Sequence, residues 1–309
     1  MKKKFLFLAA VLAAASACVD EGFDLSEVDT DDIVIGSDKS TFKVPLANIT
    51  VKADAIQGDD SSLESILKDA DLLISGRFDK LDLHDLPVDA LVESLFDALR
   101  GDGNLRREVG EFLQGGRYRS EIVQTLPPDL QGIGLDEVFS DHFDALYQRQ
   151  ELRDAMKNVI GDYLGSINDR LPSVSVKMYG IGIDEDLIGL LTGTGGLRLY
   201  GTVSNKMPFD GTAVLRLVKN DGSAEEFLKL ELALDYTEAS RDFSVDIDDE
   251  VLRAMAGDMQ MHVALDLASY YPGKPLADAD GTVLELALKL EKQGGLNIGD
   301  LFDGDILDD

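Results

Sequence analysis

Two different hydrophobic periods divide the chain. From about residue 60 to residue 170, apolar residues recur at spacings of three and four, the pattern of one face of an amphipathic helix. After Pro172 apolar and polar residues alternate, which is typical of strands with one buried face. The change of period predicts a mostly α-helical region over 33–171, which begins with short strands, followed by a β domain over 172–293.

The helical region carries recognisable start and stop signals. Ser61 to Glu64 has the form of a capping box, and Asp85 with Pro87 predicts the start of a second helix that ends at Gly101. Before these helices, Pro45 restricts the second short strand to a sheet edge or to a strand ending. The predicted strands are 33–35 and 41–44, and the further predicted helices are 104–113, 118–126 and one long helix over 135–167.

Seven strands are predicted in the β domain. Alternation is clearest in the fourth and the last, where leucines face one way and charged residues the other. Asn220-Asp221-Gly222 is a hairpin signal between the third and fourth strands. Seven antiparallel strands at this spacing suggest an immunoglobulin-like β-sandwich, so the predicted fold class is α+β. The predicted strands are 173–181, 197–205, 212–218, 226–234, 241–247, 260–270 and 282–291.

The first residues have the features of an export signal. Lys2 to Lys4 form a basic segment, and Phe5 to Ala15 an apolar run that is too short to span a bilayer as a helix. Ala15-Ser16-Ala17-Cys18 resembles the lipobox of bacterial lipoproteins, which implies cleavage after residue 17 and acylation of the Cys18 sulfur with diacylglycerol and palmitate-type chains. An ordinary signal peptide cut at Ala-x-Ala is the alternative. Since Cys18 is the only cysteine, acylation accounts for it better than a disulfide does.

The residues after the cysteine suggest where the protein is displayed. Asp20 and Glu21 resemble the acidic export tag of surface lipoproteins in the Bacteroidales, with the inner leaflet of the outer membrane as the alternative location. The acidic segment 18–32 is predicted to be a flexible tether. Gly201 to Phe209, a strand ending in Asn followed by Pro-Phe, adds to a resemblance to uncharacterised Bacteroidales surface lipoproteins with β-sandwich domains. This resemblance implies an outer-membrane location and no particular activity.

Charge excludes one class of partner. The chain has 29 Lys and Arg against 59 Asp and Glu, and removal of the three signal lysines takes the net charge from −30 to −33. Such a surface repels phosphate backbones, so we expect no nucleic-acid binding. The chain has no Trp and 7% aromatic residues, which argues mildly against a dedicated carbohydrate-binding module. An acidic tail is predicted over 294–309.

No stretch of the chain carries a catalytic or cofactor motif, and we predict no cofactor. Asp246, Asp248, Asp249 and Glu250 form the densest acidic cluster and are the candidates for a metal site. The same residues precede Val251 and Leu252 as a helix N-terminus requires, and capping is the favoured interpretation.

The basic residues of the helical region allow two interpretations. Arg149, Arg153 and Lys157 follow one another at i, i+4 and i+8 and could form a docking patch for an acidic partner. Pairing with neighbouring acids such as Glu151 and Asp154 is the favoured interpretation.

The sequence therefore predicts a non-catalytic binding or assembly module of the bacterial envelope, with an envelope protein or glycan as its partner. The alternatives are an envelope glycan hydrolase that uses dispersed carboxylates, and a fimbrial or adhesin-type subunit.

Overall fold

A computed structural model describes the parts of the chain that carry the fold. The described residues are 34–35, 39–56, 62–74, 76, 78–171, 174–178, 183, 185–192, 195–220, 225–238 and 240–297. The predicted signal peptide, Cys18, the tether and residues 298–309 of the predicted tail lie outside them. No helix in these ranges is long and apolar enough to cross a membrane.

Helices dominate the first half of the described chain and strands the second. The helices are α1 (Leu63–Ile74), α2 (Val88–Gly101), α3 (Gly103–Gly115), α4 (Arg119–Thr125), α5 (Leu135–Leu146), α6 (Gln150–Gly165), α7 (Ile167–Arg170), α8 (Glu185–Leu191) and α9 (Asp249–Ala254). The strands are β1 (Val34–Ile35), β2 (Thr41–Lys52), β3 (Leu81–Asp82), β4 (Val174–Met178), β5 (Leu197–Asn205), β6 (Phe209–Lys219), β7 (Glu226–Leu234), β8 (Arg241–Ile247), β9 (Met259–Tyr270), β10 (Thr282–Gln293) and β11 (Leu296–Asn297).

The strands form two large antiparallel sheets. Sheet I has the order β2-β10-β5-β8. Sheet II has β7, β6 and β9 in order, and β3 and β4 pair with successive parts of the remaining edge of β9, so the sheet is four strands wide. β1 and β11 form a separate pair. The α+β class is confirmed, whereas this strand order does not show an immunoglobulin-like topology, which stays a prediction.

β2 brings a segment near the start of the described chain into the same sheet as a segment near its end. It pairs along its length with β10, so residues that precede the helices complete a sheet made otherwise of residues after them. Pro45 lies within β2, beside a register shift opposite Leu288 and Lys289. An edge strand with such an irregularity tolerates the missing N–H of proline, so the prediction of an edge position is confirmed, although the strand continues to Lys52.

The single long helix predicted over 135–167 is wrong. Residues 147–149 separate α5 from α6, and the Tyr147 carbonyl oxygen accepts a hydrogen bond from Arg153 Nε at 3.2 Å. No glycine or proline marks this break, but four consecutive polar residues, 148–151, interrupt the apolar period there, and the prediction carried the helix across them. The predicted cap at Asp85 is also wrong, because Pro87 is the N-cap of α2 and makes no side-chain cap.

Helices and sheets share one continuous apolar core. Phe96, Phe139 and Phe143 lie at its helical end with no exposed surface. In sheet II, the Phe209 and Tyr270 rings pack with centroids 4.9 Å apart. The Asn168 side chain donates to Asp266 and accepts from the backbone of Leu267, so α7 is held against β9 by hydrogen bonds as well as apolar contacts.

Candidate functional site

An open cleft of about 920 Å³ lies between α1, α2 and α3, and we call it the helical cleft. Its floor is formed by apolar side chains that are only partly buried: Leu72, Ala98, Leu105 and Phe112. Its rim carries two basic residues, Lys68 and Arg107, and five acidic ones: Asp69, Asp71, Asp102, Glu108 and Glu111. The cleft therefore combines accessible apolar surface with an excess of negative charge.

Local structure fixes the walls of the cleft. The Asp102 carboxylate accepts from the backbone N–H groups of Asn104 and Leu105, so it caps the start of α3. Phe112 packs edge-on against Tyr163 of α6, with ring centroids 5.3 Å apart. The start of α3 is thus held by its own cap, and Phe112 of the floor is held by a contact with α6, outside the cleft.

Two aspartates on α1 connect the cleft to the core. The Tyr163 hydroxyl donates to Asp69 at 3.2 Å, and the Tyr270 hydroxyl of β9 donates to Asp71 at 2.5 Å. Burial raises the pKa of Tyr163 to about 12 and also raises the pKa of Tyr270, so both phenols stay protonated donors at neutral pH. These bonds hold α1 against α6 and against sheet II.

The environment of the cleft alters the acidity of the Asp69 carboxyl group. Partial burial raises its pKa above the usual 3.8, while the hydrogen bond from Tyr163 and the charges of Arg170 and Lys68 act in the opposite direction. Burial prevails, because the charged carboxylate loses more hydration than these contacts return.

We expect Asp69→Asn to stabilise the protein at neutral pH. A raised folded-state pKa means that the folded chain binds the proton more tightly than the unfolded chain, so stability is lost as pH rises through that pKa. Asparagine keeps an acceptor for Tyr163 and has no charge to desolvate. Thermal unfolding of both proteins across a pH series should show the advantage shrinking towards pH 3.8. An advantage that is independent of pH would contradict this explanation.

A second groove, of about 450 Å³, crosses the outer face of sheet I, and we call it the sheet groove. Tyr200 of β5 is one of the residues that line it. The Nζ atoms of Lys43 and Lys289 lie 5.2 and 5.9 Å from the centroid of the Tyr200 ring. The lining has three basic side chains and two acidic ones, so its charge balance is opposite to that of the helical cleft.

Strand register explains the charges around Tyr200. Lys43, Glu291, Arg198 and Asp246 are successive cross-strand neighbours on β2, β10, β5 and β8. Lys43 contacts Glu291 at 3.3 Å, and Arg198 contacts Asp246 at 3.2 Å. This row of alternating charges balances itself.

The predicted metal candidates do not form a group. Asp248 is the N-cap of α9 and accepts from Val251 N at 2.9 Å, as the capping interpretation predicts, and Asp249 and Glu250 follow in the first turn. Asp246 contacts Arg198 instead. Within the described ranges, no three His, Cys, Asp or Glu side chains converge in a way that could hold a metal ion.

The basic residues of the helical region contact acids, as the favoured interpretation predicts, but Arg153 is not part of a solvated face, since its side chain is only 11% exposed. Arg149 lies 3.8 Å from Glu151. Arg153 pairs with Glu93 on α2 and lies over the Phe96 ring, 4.5 Å from its centroid. These contacts hold α6 against α2, so this face contributes to packing.

Sequence reasoning identified the residues of neither groove. Lys289 and Glu291 lie on the charged face of the last predicted strand, but alternation does not say which strands lie beside it. The apolar residues of the cleft floor resemble ordinary core positions in the sequence. Only the packing of three helices leaves them partly exposed.

Comparisons with known proteins show only a distant structural likeness. No protein-family model matches it, and no curated protein is significantly similar in sequence. A crystal structure of a "putative secreted protein" from Parabacteroides distasonis is a distant structural match with 21% identity and a TM-score of 0.29. The alignment covers 40% of this chain and 38% of that one, well under two thirds of its length.

Proposed function

We propose that this protein is a non-catalytic binding or assembly module of a bacterial envelope, held at the outer-membrane surface by a lipid on Cys18. The helical cleft is the observation that carries the binding part of the proposal. The lipobox and the acidic pair after it support the location. Two or three acyl chains give lasting membrane attachment, because each buried methylene contributes about 0.8 kcal/mol.

The partner that fits the helical cleft is a basic amphipathic segment of another envelope protein. Partly exposed apolar side chains such as Leu72 and Phe112 offer contact area to apolar anchors of a partner. The acidic rim attracts Lys or Arg side chains on either side of those anchors, and opposite charges raise the rate of encounter. A nucleic acid or an acidic peptide would instead be repelled.

The test uses two synthetic helical peptides, one with leucines on one face and lysines on the other, and one with glutamates replacing the lysines. The variant Glu108→Lys/Glu111→Lys reverses two exposed rim charges on α3. We expect the basic peptide to bind the unaltered protein and the variant to bind about tenfold or more weakly, with the difference reduced by salt. Calorimetric titration measures both affinities.

A matched control separates the cleft from overall charge. Glu137→Lys/Asp141→Lys makes the same charge change on exposed positions of α5, which do not line the cleft. We expect this control to retain most of the affinity, and Phe112→Ala to lose it without any charge change. Equal loss in both charge-reversed variants, equal binding of the acidic peptide, or no binding of the basic peptide would overturn the proposal.

The anchor has its own test. Labelled palmitate should enter the full-length protein in the producing bacterium, and Cys18→Ser should abolish labelling and release the protein from the membrane fraction. A serine variant that stays membrane-bound would contradict the anchor and leave the cleft result unaffected.

An envelope glycan hydrolase is the second candidate, and the raised pKa of Asp69 favours it. A carboxyl group with a raised pKa beside other carboxylates in an open cleft resembles the acid of a glycosidase pair. A glycan panel tests this function. Release of sugar that Asp69→Asn abolishes without loss of folding would favour hydrolysis over binding, whereas no release from the panel would favour the binding module.

A further inference from the structure

The sheet groove has the features of a second binding site, with a chemistry different from that of the helical cleft. It brings Lys43, Lys289 and Arg198 to one outer face of sheet I in a chain whose net charge is −30. Because the surrounding surface is strongly anionic, an anion gains little from the protein elsewhere. The groove has three basic side chains against two acidic ones in its lining, with Lys43 paired to Glu291 and Arg198 to Asp246, so it is less anionic than the rest of the chain. This local difference in charge is informative about the ligand.

We propose that the sheet groove binds an anionic oligosaccharide, with a carboxylate or sulfate group of the sugar between Lys43 and Lys289. Both ammonium groups lie within 6 Å of the centroid of one tyrosine ring. An anion that enters the groove beside this ring therefore approaches both of them. A sugar anion meets two ammonium donors there, and such charge-assisted hydrogen bonds are about twice as strong as neutral ones.

Tyr200 completes the site. In the unbound protein its ring is contacted by the two lysines, and a cation–π contact is weak where the cation is exposed to water. Lys43 also pairs with Glu291 at 3.3 Å, but its side chain is 58% exposed, and ion pairs of exposed side chains are weak. An anion that draws the lysines towards itself therefore loses little in these contacts and uncovers the ring. The apolar face of a sugar can then lie against the ring while the Thr202 and Ser244 hydroxyls line the groove beside it.

The open shape of the groove favours an extended chain over a small ion. It crosses all four strands of sheet I, from Lys43 on β2 to Ser244 on β8. Asp242 and Glu291 are acceptors for sugar hydroxyls and also repel a densely phosphorylated ligand. A sparsely charged saccharide satisfies both requirements.

The experiment titrates the full mature protein with three hexasaccharides: oligogalacturonate, a heparin fragment and a neutral galactan. We expect one or both of the anionic chains to bind and the neutral one to bind at least about tenfold more weakly. Carboxylated and sulfated sugars are distinguished by which anionic chain binds. Inorganic sulfate alone should compete only weakly.

The decisive variant is Lys43→Gln/Lys289→Gln, which removes both ammonium groups. Its matched control is Lys219→Gln/Lys229→Gln, which removes two exposed, ion-paired lysines from sheet II. We expect about tenfold or greater loss in the first pair and little change in the second. Phe112→Ala, which alters the helical cleft, should leave oligosaccharide binding intact.

Several outcomes would overturn the proposal. They are equal loss in both lysine pairs, equal affinity for the neutral chain, competition by sulfate as strong as that by the anionic sugars, or no anionic binding up to about 1 mM. Binding of the sugar with no binding of the basic peptide would support this site and reject the function proposed for the helical cleft.

Discussion

Phe96→Ala is expected to lower the free energy of unfolding by about 3–5 kcal/mol, the usual cost of deleting a fully buried phenylalanine. Phe96 has no exposed surface, and its ring packs 5.5 Å from that of Phe143. It also supports the Arg153 guanidinium, which lies 4.5 Å from the ring centroid and pairs with Glu93. Removing the ring leaves a cavity and removes the ring face that the Arg153 guanidinium contacts.

Phe96→Leu is the control for this result. Leucine keeps much of the apolar volume but offers no ring face to Arg153, so we expect a smaller loss, of about 1.5 kcal/mol. Denaturant unfolding followed by circular dichroism measures both variants. A loss in the alanine variant no larger than in the leucine variant would show that the packing around Phe96 collapses to fill the space.

Gly110→Ala is expected to destabilise the protein, although alanine has a higher helix propensity than glycine. Gly110 is buried in α3, where an added Cβ would lie 2.6 Å from both Asp136 Cα and Leu135 O of α5. These are backbone atoms, so the helices must separate, and overpacking of this kind costs about 1–3 kcal/mol. Gln114 Oε1 also accepts a hydrogen bond from Leu135 N at 2.9 Å, and separation would weaken it.

Gly161→Ala is the matched helical control and should have the opposite sign. In α6 the nearest atom to an added Cβ is Val88 Cγ2 at 3.6 Å, which is an ordinary contact. Alanine there gains about 0.5–1 kcal/mol from lower backbone entropy in the unfolded chain. Differential scanning calorimetry of the two variants should show melting temperatures on opposite sides of the unaltered protein. Stabilisation by both substitutions would contradict close packing of α3 on α5.

Most of the local structure could be predicted from the amino-acid pattern. The bounds predicted for β5, β7 and β8 agree with the structure, because alternation of buried and exposed residues is a direct record of the strand period. The break between α5 and α6 could not be found in this way. There four consecutive polar residues, 148–151, interrupt the apolar period, but no glycine or proline accompanies them, and the direction in which each helix packs decides that the chain turns.

The candidate sites were less predictable than the elements that carry them. Alternation showed that Lys289 lies on a charged face, but not that Tyr200 and Lys43 lie beside it, since strand order depends on contacts between distant parts of the chain. The amino-acid pattern named no residues for a groove in the helical region. Which apolar side chains stay accessible depends on the angles at which α1, α2 and α3 meet.

The sequence by itself determined the α+β class, the bounds of β5, β7 and β8 and the large excess of negative charge, because each is a property of neighbouring residues or of composition. The tertiary structure decided that β2 completes sheet I through β10, that Tyr200 is flanked by two lysines, and that an apolar floor lies under an acidic rim. These features arise from long-range pairing and packing. Period and composition record which face of an element is buried, but not what lies against it.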